Sequence, residues 1–83
     1  MKLKYFAWVR ERIGRSGEEL DLPEEVGTVA GLIDWLRLRG PEYEAALADV
    51  FAVRVALDKV HARPGDAIGD ATEAALFPPM TGG

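Results

Sequence analysis

Residues 2–10 alternate in phase, with Leu3, Tyr5, Ala7 and Val9 on one side and Lys2, Lys4, Phe6, Trp8 and Arg10 on the other. A period of two predicts one strand over this whole segment, with aromatic residues on its second face. Gly14 and Gly17 mark 12–17 as a connection. Weak alternation through Leu20 and Leu22 predicts a second strand over 18–22, paired with the first as a hairpin. The period then lengthens. Val29, Leu32, Ile33 and Leu36 recur at helical spacing behind Thr28, a natural N-cap, and Gly40-Pro41 stops the helix. Pro41 opens a shorter helix over 42–48, anchored by Tyr43 and Leu47. Beyond it, the Val- and Ala-rich stretch 51–57 predicts a buried strand and 60–62 a short one. Arg63-Pro64-Gly65-Asp66 reads as a turn, and 73–77 as a last strand ended by Pro78 and Pro79.

Hairpin, helix, short helix, strands: the order predicts an α+β domain in which a mixed sheet of four to five strands curls over one main helix. It suits a β-grasp, ubiquitin-like fold with the first and last strands side by side at the sheet centre. A ferredoxin-like split fold needs a second long helix, which the pattern lacks. At 83 residues the chain is one small domain. We assign 1–77 to the domain and 78–83 to an extended tail.

Composition removes whole classes of chemistry. Without cysteine there is no disulfide framework, thiolate metal site or cysteine nucleophile, and His61 is the single histidine. We expect no metal site and no bound cofactor. His61 reads as a surface or sheet-edge residue. A net charge of −4 argues against nucleic acid or an anionic membrane as partner. No apolar run approaches the roughly 18 residues of a spanning helix, and the start lacks a signal-peptide core, so the expected location is the cytoplasm. Asn and Gln are absent while Arg, Glu and Pro abound, which points to a thermophilic source and a melting temperature above the mesophile range; the alternative for part of the pattern is a GC-rich genome biased towards Ala, Arg, Gly and Pro.

The tail stands apart from the rest. Residues 74–83 carry no charged side chain in a chain that is 29% charged. Pro78 and Pro79 stiffen the exit from the sheet, and the six residues from Pro78 onward, if extended, reach roughly 20 Å. Gly82 and Gly83 have no side chain and fit a channel too narrow for a Cβ atom. The reactive group at the tip is then the carboxylate of Gly83. Activated as an acyl-adenylate, that group is open to attack by sulfur or nitrogen. The alternative is a frayed terminus without function.

Three segments carry a resemblance. The opening Tyr5-Phe6-Ala7-Trp8-Val9-Arg10-Glu11-Arg12-Ile13-Gly14 resembles that of the MoaD family, the small subunit of molybdopterin synthase. So does Gly27-Thr28-Val29-Ala30-Gly31-Leu32-Ile33-Asp34-Trp35-Leu36 with the following Gly-Pro-Glu-Tyr. The ending Pro78-Pro79-Met80-Thr81-Gly82-Gly83 is close to the family's Pro-Pro-Val-Ser/Thr-Gly-Gly. The chain departs from the family in two turns. Leu57-Asp58 stands where many relatives carry Asn, and Asp70-Ala71-Thr72-Glu73 lacks the glycine of the usual Asp-Gly-Asp-Glu.

The resemblance implies a β-grasp sulfur carrier. An adenylating enzyme related to ubiquitin-activating enzymes would consume ATP to activate Gly83, and a sulfur-donor protein would supply sulfur to make the thiocarboxylate. Pro78, Pro79, Met80, Thr81 and Gly82 would thread into the large subunit of molybdopterin synthase, in a heterotetramer. There sulfur would pass to cyclic pyranopterin monophosphate, with the catalytic side chains all in the partner. Phe6, Val60 and Phe77 would form the docking patch; the alternative is that the phenylalanines are ordinary core. A carrier for thiamine or tRNA thiolation, a protein modifier, and an inert binding module are the other functional readings. The basic residues Lys2, Lys4, Arg10, Arg12 and Arg15 and the five acids of 18–25 read as solvated surface or as partner-steering charge.

Overall fold

Leu3 and Tyr5 are buried on strand β1 (Lys2–Tyr5) in the computed structural model, which describes residues 1–49 and 52–79. The strand expected to continue to residue 10 stops there. Ala7–Ile13 is instead a helix, α1, and the switch takes one residue. Phe6 keeps an extended backbone, while its carbonyl accepts from the N–H groups of Val9 (3.1 Å) and Arg10 (3.3 Å). Ala7 takes a left-handed conformation (φ 52°) to turn the chain. Val9 and Ile13, four residues apart, bury one helical face, and Gly14 (φ 89°) closes the helix by donating to the Arg10 carbonyl.

Strand β2 is Gly17–Glu19, shorter and earlier than the pattern at 18–22 suggested. Leu20 and Leu22 lie beyond it, half-buried against the core. The main helix α2 (Val29–Arg37) matches its expectation: the Thr28 hydroxyl accepts from the Gly31 N–H, and Val29, Leu32, Ile33 and Leu36 are buried. Helix α3 (Pro41–Leu47) starts on Pro41 and buries Tyr43, Ala46 and Leu47. The Arg37 guanidinium ties α2 to α3 by gripping both oxygens of Glu44, at 2.8 and 2.9 Å. Strand β3 is Arg54–Leu57, with buried Val53 just before it; the predicted start at Phe51 lies outside the described residues.

Strands β4 (Val60–Ala62) and β5 (Glu73–Phe77) fall where the pattern put them. Asp58 (φ 48°) and Lys59 (φ 71°) make the tight turn between β3 and β4. The sheet order is β2-β1-β5-β3-β4, with β1 and β5 parallel at the centre and the other pairs antiparallel. This is the β-grasp topology, and its core lies between the inward phase of the strands and the three helices. Among the described residues, no helix is long and apolar enough to cross a membrane.

Candidate functional site

Ala74 and Leu76 of β5 are fully buried, so Glu73, Ala75 and Phe77 belong to the opposite, outward phase of the central strand. Register puts Lys4 beside Ala75 on one side; on the other, Ala56 lies opposite Ala75 and Arg54 opposite Phe77. Phe6 prolongs β1 in this outward phase, and its N–H donates to the Leu76 carbonyl at 3.1 Å. Phe6 is 44% exposed, and the next residue turns the chain away into α1. Phe77 is half-buried and meets His61 edge-on, ring centroids 5.4 Å apart. The face thus has an apolar strip of Ala56, Ala75 and Phe77, flanked by Phe6. The Lys4–Glu73 ion pair (3.0 Å) borders the strip on its β1 side.

Val60 does not join this strip. It pairs with Leu57, in the inward phase of the sheet, and is 67% exposed at the end of the β3–β4 hairpin. The three predicted docking residues therefore divide by phase, Phe6 and Phe77 outward and Val60 inward. His61, on the edge strand, is part of the outward face through its contact with Phe77.

Beside Phe6 an open groove of about 630 Å³ follows β1 and β2, lined by Lys2, Lys4, Arg10 and Glu19 among others. Gly17 lets the two strands approach, since a Cβ there would stand 2.6 Å from the Leu3 carbonyl oxygen.

Glu18, one of the five acids read as solvated surface, is not solvated. Its side chain is 8% exposed. The hydroxyls of Tyr5 (2.8 Å) and Tyr43 (2.6 Å) both donate to Oε2, while Arg15 (2.9 Å) and Arg39 (3.6 Å) flank Oε1. Burial disfavours its charge, but the two hydroxyls and two guanidinium groups outweigh that and hold the carboxyl below its ordinary range. Burial and the same carboxylate push both phenols up. The cluster joins β1, β2 and α3 and is structural. A buried-phase tyrosine whose hydroxyl needs a partner was the one signal for it in the sequence.

Pro78 and Pro79 follow Phe77, both half-buried, and leave the ladder because neither has an N–H to donate. Met80, Thr81, Gly82 and the predicted carrier Gly83 lie outside the described residues. Among the described residues no group of three or more His, Asp or Glu is placed to hold a metal ion.

A model of the ThiS family matches residues 3–83. The crystal structure of SAMP1 from Haloferax volcanii is similar at 30% identity, covering 100% of this chain and 98% of that one, with a TM-score of 0.75. A protein named as molybdopterin converting factor, subunit 1, from Pyrococcus furiosus is 26% identical over 94% of each chain, with a TM-score of 0.74. A second structure of the Haloferax volcanii small archaeal modifier protein 1 is 26% identical over 95% of each chain, with a TM-score of 0.71. A search of curated proteins finds no match.

Proposed function

The chain belongs to the ThiS family of ubiquitin-like sulfur carriers and protein modifiers, and from that premise we propose that it is the sulfur-carrying small subunit of a molybdopterin synthase. The observation that carries this reading is the uncharged run from β5 through Pro78-Pro79 to Gly82-Gly83, starting at the centre of the sheet beside the outward apolar strip. The similarity to the Pyrococcus furiosus protein supports it.

The chemistry places every catalytic side chain elsewhere. The Gly83 carboxylate attacks the α-phosphorus of ATP in an adenylating enzyme, and pyrophosphate leaves. A sulfide-level nucleophile from a sulfur-donor protein then adds to the acyl carbon, and AMP leaves with the oxygen. The resulting thiocarboxylate enters the large subunit, where its sulfur bonds to a side-chain carbon of cyclic pyranopterin monophosphate as an oxygen substituent leaves that carbon. Water cleaves the acyl–sulfur bond and restores the carboxylate. This chain contributes reach, a narrow tip and the docking face made by Phe6 and Phe77.

Incubation with the adenylating enzyme, ATP and hydrosulfide should raise the intact mass by the exchange of one oxygen for sulfur, mapped to Gly83. The product should then convert the pterin precursor when the large subunit is added. An unchanged mass rejects the carrier. A thiocarboxylate that no large subunit consumes rejects the synthase role. In that case the similarity to SAMP1 favours a protein modifier, recognised by Gly83 linked to lysines of other proteins.

A further inference from the structure

His61 is the single histidine, and histidine is the side chain whose charge ordinarily changes between roughly pH 5 and 8. It stands on the edge strand β4, opposite Ala56 of β3, and Ala56 in turn stands opposite Ala75 of β5. The small side chain of Ala56 leaves room for the rings of His61 and Phe77 to meet over β3, with 5.4 Å between centroids and 89° between planes. Ala56 is 8% exposed although it faces outward, so little water reaches the sheet beneath the ring pair. His61 itself is exposed, and among the described residues its side chain has no hydrogen bond or ion pair.

Because the two rings touch, a surface that covers Phe77 covers His61 as well. The charged groups around the imidazole do not compensate it for the water it would lose. Arg54 of β3 and Arg63 beyond β4 line a hollow with it, and Lys59 lies in the β3–β4 turn. Glu73 of β5 pairs with Lys4 at 3.0 Å, on the far side of the strip. Asp58 accepts from the Thr72 and Glu73 N–H groups, and Asp66 accepts from the Arg63 N–H at 2.8 Å. A neutral imidazole can be covered at small cost, whereas an imidazolium would be buried without a partner. We infer that His61 is a docking residue of the outward face and that docking requires its neutral form, so that acid releases the partner. The inference rests on the proposal that this face docks the large subunit, and adds to it a residue that links docking to a proton.

The first measurement needs no partner. In NMR spectra of the full chain, the Phe77 ring signals should follow the titration of the His61 ring, and should cease to do so in His61→Gln. Phe77 signals that ignore the His61 titration would overturn the inference. Affinity for the molybdopterin synthase large subunit is then measured by calorimetry at about pH 7.5 and about pH 5.5. Glu18 stays ionised across this window, its carboxyl being held below the ordinary 4.5. The large subunit's own groups titrate equally against wild type and His61→Gln, so the difference between the two belongs to His61. Docking that expels one proton should cost the wild type roughly tenfold more affinity than His61→Gln over the interval. His61→Arg, charged at both values, should dock weakly at both. Parallel profiles for wild type and His61→Gln, wild-type docking that tightens in acid relative to His61→Gln, or tight docking of His61→Arg would each overturn the inference and leave the docking face standing. Absence of wild-type binding at either pH would remove the docking face itself, and this inference with it.

Discussion

Glu18 shows what a linear reading loses at the scale of one residue. It stands in an acidic stretch, and its partners come from 13 residues before it (Tyr5) and 25 after it (Tyr43). Only the fold reveals that it is a shared acceptor. Its native pKa is held below the ordinary 4.5, so its contribution to stability is fully present above that value. It disappears as pH falls through the lowered native value. We predict that Glu18→Gln costs about 1–3 kcal/mol at neutral pH, because both phenols lose a charged acceptor. The variant should also lose part of the wild type's acid sensitivity. Urea unfolding of both proteins at neutral pH and well below pH 4.5 checks this, the gap between them narrowing in acid.

Elements were legible where two independent signals agreed. In α2 the helical spacing of Val29, Leu32, Ile33 and Leu36 coincides with a capping residue and a Gly-Pro stop. Thr28→Ala should therefore cost about 1 kcal/mol, read as a lowered midpoint in thermal unfolding, and Thr28→Ser should restore it. Helix α1 was hidden because Ala7 and Val9 continue the strand phase of Leu3 and Tyr5. Of the three i,i+4 pairs in its seven residues, just one, Val9 and Ile13, is apolar at both positions. The two turns that depart from the family pattern prove to be partners. The Asp58 carboxylate accepts from the N–H groups of Thr72 (3.1 Å) and Glu73 (3.0 Å) and from the Thr72 hydroxyl (3.2 Å). This fixes the start of β5 against the β3–β4 turn without the glycine. Lys59, at φ 71°, has no such compensating contact among the described residues. Lys59→Gly should raise stability by about 0.5–1 kcal/mol, measured by urea unfolding, since a two-residue turn with both φ positive favours glycine at its second position.

At the scale of the molecule, the parallel pair β1–β5 was foreseeable from element order, because a first and last strand joined through helices can lie together in a mixed sheet. The outward phase of that pair was foreseeable too, and it places Phe6 and Phe77 on one face. Val60 was misplaced because a two-residue turn sets its phase against Leu57, which composition does not reveal. Phe77 decides whether the outward face binds or merely covers the sheet. Its neighbours Ala74 and Leu76 supply the buried contacts of β5, and its own ring rests on His61 outside the core cluster. Phe77→Asp should change folding stability by no more than about 1 kcal/mol. A ring at the centre of an interface contributes far more to binding, so affinity for the large subunit should fall at least tenfold. Thermal unfolding and titration calorimetry on the same preparation separate the two effects. A variant that unfolds would make Phe77 part of the core. A folded variant that still binds at full affinity would move the docking surface off this face altogether.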